Sequence, residues 1–117
     1  MPSIHDLVAA LRQREGVEAA IVLGRDGLLI DSQTVSGLDA EDIAARNPPI
    51  IGPADELGAA LRRGDLATAV LEHRGGLAIV SAISSDAILF ILVNPRANVG
   101  QLLSELRRNR DHIAAIV

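Results

Sequence analysis

Residues 21–32 read IVLGRDGLLIDS, with an apolar run on either side of a Gly24-Arg25-Asp26-Gly27 tetrad. Such a tetrad can cradle a phosphate, present an arginine or turn a chain, and its flanks decide which. A phosphate cradle needs a longer glycine loop opening into a helix, whose first N–H groups then point at the anion. Here the tetrad leads into LLIDS, another short apolar run, and neither the Walker nor the dinucleotide spacing is present. Asp-Gly between two such runs is the strongest short-range signal for a β-hairpin. The stretch is read as strand, turn and strand, with Gly27 placed to take a positive φ. Arg25 is then an exposed contact at the tip.

Upstream, Ser3 is a good N-cap, and Ile4, Leu7, Val8 and Leu11 recur at helical spacing towards Gly16, a natural stop. Residues 17–23 are apolar on both parities and predict a strand buried on both faces, with residues 28–32 as its hairpin partner. Downstream, residues 38–61 carry a helical pattern in which Ile43, Ile50, Ala54, Leu57 and Leu61 recur. Pro48, Pro49, Gly52 and Pro53 interrupt it, so the helix breaks or kinks near residues 47–53. After Gly64 come strands over residues 66–73, 77–83 and 87–93, separated by Gly75-Gly76 and by Ser84-Ser85-Asp86. The last is the most apolar and is expected at the centre of the sheet. Asn94-Pro95 ends it, and Asn98 caps a final helix with Val99, Leu102, Leu103, Leu106, Ile113 and Ile116 on one face. The order is α-β-β-α-β-β-β-α, an α+β domain with an antiparallel sheet and helices on both faces.

The composition narrows the chemistry. At 117 residues the chain is expected to form one domain, residues 1–117, and its only aromatic residue is Phe90, so the core is aliphatic. There is no cysteine, which excludes disulfides and thiolate sites. All 11 basic residues are arginine, yet the net charge is −4. An acidic chain without aromatic platforms is not expected to bind nucleic acid. The longest apolar run, residues 87–93, is far too short to span a membrane, and no signal pattern precedes it. A cytoplasmic protein is expected. His5, His73 and His112 lie at no metal-ligand spacing, and no nucleophile elbow surrounds Ser81, Ser84 or Ser85. No catalytic residue, metal or cofactor is assigned.

What remains is surface. The strand at residues 66–73 lacks the lysine, proline or bulge that protects an edge, and such an edge invites another chain. The broken helix offers Ile50, Ile51, Leu57 and Leu61, more apolar surface than one sheet face covers.

The hairpin VLGRDGLLIDS, together with AVLEHRGGLAIVSAISSDAILFILVNPRANVGQLLSELRRNRDHIAAIV, resembles the roadblock/dynein light-chain family in its bacterial branch. The resemblance covers nearly the whole chain and implies a five-stranded antiparallel sheet with the middle helix on one side. It also implies a homodimer in which the third strand pairs with its copy through Ala67, Thr68, Ala69, Val70 and Leu71. The middle helices would pack across the two-fold through Ile50, Leu57 and Leu61, leaving Ile51, Arg62 and Arg63 to face a partner. Bacterial members act beside a Ras-like small GTPase, in the best-understood case accelerating hydrolysis without inserting an arginine. Others are structural adaptors in motor, polarity or sensor-kinase assemblies. At ARNPPIIGPADE the chain departs from the long middle helix usual in that family.

Overall fold

The computed structural model describes residues 3–117. Its elements in chain order are α1 (Ile4–Arg12), β1 (Val17–Gly24), β2 (Leu29–Thr34), α2 (Ala40–Ala45), α3 (Pro48–Ala60), β3 (Thr68–His73), β4 (Gly76–Ala82), β5 (Ala87–Val93), α4 (Val99–Arg108) and α5 (Arg110–Ile116). The five strands form one antiparallel sheet in the order β2-β1-β5-β4-β3. β5 is central, as its apolar run implies, and β2 and β3 are the edges.

Each face of the sheet has its own core. On one face Val22, Ile79, Leu89 and Ile91 pack with Val8 and Leu11 of α1, Leu102 and Leu106 of α4, and Ile113 of α5. On the other face Ile21, Leu23, Val80 and Ile88 meet Ala44 of α2 and Ile51 of α3. This second face is more thinly covered, and Phe90 and Leu92 remain half-buried there.

Helix ends follow local chemistry. Ser3 Oγ accepts from the Asp6 N–H at 3.1 Å, and Asp6 Oδ2 accepts from the Ser3 N–H at 3.1 Å, a reciprocal capping box. α1 stops at Arg12, short of Gly16, which follows in a turn with φ of +86°. A Cβ at Gly16 would stand 2.6 Å from Ala97 Cβ, so the close approach of the two loops requires glycine there.

The middle helix, expected to break or kink near residues 47–53, is two helices, and the break lies at Arg46-Asn47, just before the prolines. Pro48 and Pro49 occupy the first positions of α3, where a missing N–H costs nothing because it has no intrahelical acceptor. Pro53 sits inside α3 without ending it. Asn47 is buried, and its Nδ2 donates to the Ile43 carbonyl at 2.8 Å, which ties the junction together. The expected final helix is also divided, at Asn109, whose Nδ2 donates to the Glu105 carbonyl at 2.8 Å.

The opening tetrad is a turn. The Gly27 N–H donates to the Gly24 carbonyl at 2.9 Å, and Gly27 has φ of +89°. That is the three-residue hairpin arrangement in which glycine takes the left-handed position.

Candidate interaction edge

β3 pairs with β4 one residue to one, from Thr68 opposite Ser81 to His73 opposite Gly76, and no described strand lies on its other side. Alternation puts Thr68, Val70 and Glu72 on the α4 face, and Ala69, Leu71 and His73 on the α3 face. Val70 is exposed, while Thr68, Ala69 and Leu71 are half-buried. Ala67 lies just outside the strand and is exposed, and its carbonyl accepts the Ala82 N–H at 2.9 Å. The outer backbone groups of β3 are free to pair with another strand.

α3 divides its residues between two directions. Ile51, Asp55 and Gly58 stand at i, i+4 and i+7 and face inward. Ile51 is 3% exposed, and a Cβ on Gly58 would collide with the Gly64 carbonyl oxygen of the loop beneath. Ile50, Ala54, Leu57 and Leu61 form a second stripe along the side of the helix. Leu57 and Leu61 are about three-fifths exposed, at 60% and 58%, and Ile50 is half-buried. Ile51 was expected to face a partner and does not: one residue further round the helix from Ile50, it points into the core.

Arg62 and Arg63 are exposed beyond the end of α3. The Arg63 N–H donates to the Gly58 carbonyl at 2.9 Å and the Arg62 N–H to the Ala59 carbonyl at 3.0 Å. This paired closure normally puts glycine at the left-handed position. Here Arg62 occupies it with φ of 56°, the one positive-φ non-glycine among the described residues.

Arg25 also departs from expectation. Its side chain is about one-quarter exposed and its Nη1 donates to Asp55 Oδ2 at 2.9 Å, so it belongs to an ion pair rather than to solvent. The other carboxylate oxygen, Asp55 Oδ1, accepts the Leu66 N–H at 2.7 Å. The Leu66 N–H bond, then the Arg25 guanidinium, hold the Asp55 carboxyl below the usual carboxylate range. No local pattern marks Asp55, because its partners are 30 and 11 residues away.

Among the described residues no group of three or more His, Asp or Glu side chains could hold a metal ion. A cleft of about 740 Å³ opens at the end of the sheet away from the tetrad, near Arg12, Glu18, Asn94 and Arg96. Within it Arg12 donates to the Val17 carbonyl at 2.9 Å and Arg14 pairs with Glu105. No described helix is long and apolar enough to cross a membrane.

An edge strand with an unpaired outer side and a helix with an exposed apolar stripe are surfaces on which another chain can pack. Residues 4–93 match the Roadblock/LC7 domain family. The chain belongs to the Roadblock/LC7 family. Over 113 residues it is 28% identical to the uncharacterized protein MJ0310 of Methanocaldococcus jannaschii, covering 97% of this chain and 98% of that one. Solved structures share the fold at lower identity. A Roadblock/LC7 domain from Streptomyces avermitilis superposes with a TM-score of 0.83 at 23% identity, covering 96% of this chain and 95% of that one. Myxococcus xanthus MglB superposes with a TM-score of 0.87 at 14% identity, covering 97% of this chain and 93% of that one.

Proposed function

We propose that this chain is a non-enzymatic homodimer that regulates or scaffolds a Ras-like small GTPase. The observation that carries the reading is the β3 edge, regular in its pairing and with no described strand on its outer side, together with the Leu57 and Leu61 stripe that α3 leaves exposed. A second copy placed on a two-fold axis would extend the sheet through Ala67, Thr68, Ala69, Val70 and Leu71. The same axis would bring Ile50, Leu57 and Leu61 of the two helices together, so one isologous contact satisfies both features. Arg62 and Arg63 stand at the rim of that contact, where they can meet an acidic partner surface. The GTPase part of the reading is supported by family membership, which the resemblance of the chain to the bacterial branch makes specific.

Sedimentation should give twice the 12.3 kDa chain mass at micromolar protein. A monomer at every concentration would overturn the dimer. For the partner, the protein is mixed with the Ras-like small GTPase encoded nearest to it, loaded with GTP or with GDP. Preferential binding to the GTP form, or a changed hydrolysis rate, is the expected result. Absence of both a complex and a rate change would remove the GTPase. Equal binding to the two nucleotide forms with no rate change would identify a structural adaptor instead.

A further inference from the structure

We propose that Asp55 is the positioning residue of the β3/α3 contact, coupling the first hairpin turn to the chain just before β3. The inference rests on the reading of β3 and α3 as the self-association seam. It gives a role to the tetrad at residues 24–27, which the proposed function leaves unused.

α3 is weakly seated by apolar burial, since Ile51 is its one fully buried residue. The next inward position along the helix is Asp55, and the one after that is Gly58, which has no side chain to bury. What orients α3 is therefore polar. Asp55 Oδ2 takes Arg25 Nη1 at 2.9 Å and Oδ1 takes the Leu66 N–H at 2.7 Å, so one carboxylate joins three segments. Arg25 is itself fixed, because its N–H donates to the Asp86 carbonyl in the β4–β5 turn at 3.0 Å. The same hairpin turn meets α3 a second time, for a Cβ on Gly27 would stand 3.1 Å from Pro48 Cγ. The turn is thus the seat of α3 at its first residue and again two turns along. Leu66 precedes β3 by two residues, so the carboxylate sets α3 and the start of the edge strand relative to each other. A second copy must meet both surfaces at once, and a two-part contact is sensitive to a small error between its parts. A brace that served stability alone would leave association unchanged once the chain had folded.

The test measures the dimer dissociation constant by sedimentation, with far-UV circular dichroism as the check of folding. Arg25→Ala and Asp55→Asn are compared with the parent and with Asp42→Asn, which removes the exposed ion pair of Asp42 in α2 with Arg46 just beyond its end. Both brace variants should weaken association by about tenfold or more, the scale of one charge-assisted hydrogen bond. Asp42→Asn should leave it unchanged. Asp55→Ala, which also removes the acceptor for Leu66, should weaken it further and speed amide exchange at Leu66. Arg25→Lys, which restores a point charge without the planar fork, should recover part of the loss. A dimeric parent with Arg25→Ala and Asp55→Asn both within about twofold of it overturns the inference while leaving the seam intact. A monomeric parent overturns the seam itself, and the inference with it. If Asp55→Asn fails to fold, Arg25→Ala decides, because it leaves the bond to Leu66 in place.

Discussion

The two edges of the sheet, β2 and β3, differ in the regularity of their backbones. β2 shows the larger exposed apolar groups nearby, with Leu28 at 69% and Ile30 at 49%, against 41% for Val70 in β3. By apolar exposure alone β2 would be the stickier edge. Its ladder, however, is interrupted: Leu23 pairs with Leu29 and Val22 with Asp31, so Ile30 is an extra residue in a bulge. Helices α1 and α2 pack against β2 from its two sides, and His5 Nδ1 lies 3.2 Å from Asp31 Oδ2. β3 pairs without a bulge, and no described strand lies on its outer side. An edge is made available by a regular row of unpaired donors and acceptors, and a bulge removes that regularity whatever the side chains.

The contrast is most severely tested by placing proline in each edge. Val70→Pro should abolish association, raising the dissociation constant by about a hundredfold or more, because it disrupts the outer row in mid-strand. Ile30→Pro should leave sedimentation unchanged, since proline is tolerated at a bulge. Equal loss from both would erase the distinction between the edges. Ile51→Ala separates folding from binding at the helix that flanks β3. It should lower stability to urea by about 2–4 kcal/mol, the cost of truncating a fully buried isoleucine.

Acid sharpens the same comparison, because Asp55 serves the β3 side. Its folded carboxyl titrates below the unfolded value of about 3.8. The contribution is therefore complete above that pH and is lost as the pH falls through the lower folded value. Urea unfolding followed as a function of pH should show a smaller acid loss in Asp55→Asn than in the parent. The smallest effect is expected at Arg62, beyond the end of α3. Arg62→Gly relieves a left-handed arginine but adds freedom to the unfolded chain, leaving a net gain of about 0.5 kcal/mol in thermal or urea unfolding. A loss would mean that the arginine side chain makes a stabilising contact.

The strands, their order along the chain, the central place of β5 and the left-handed Gly27 were all legible in the residues. Each depends on chemistry within a few positions: alternation, a glycine in a turn, a cap before an apolar stripe. Harder cases lay where two neighbouring residues point in different directions. Ile50 and Ile51 are chemically identical, and only the packing of α3 puts one on its flank and the other in the core. The proline cluster announced a broken helix, but the break falls at Asn47 because prolines in a first turn start a helix more readily than they end one. Arg25 looked like a solvated turn residue because the carboxylate that holds it is 30 residues away.

Local order thus settled what the elements are, since strand periodicity, turn residues and caps act over a handful of bonds. The packed chain settled what those elements present. The bulge at Ile30, the inward row of Ile51, Asp55 and Gly58, and the bond from Asp55 to both Arg25 and Leu66 arise only when distant segments compete for the same space. A side chain's direction and an edge's regularity are properties of that competition, and they decide which surface of this protein is free to bind.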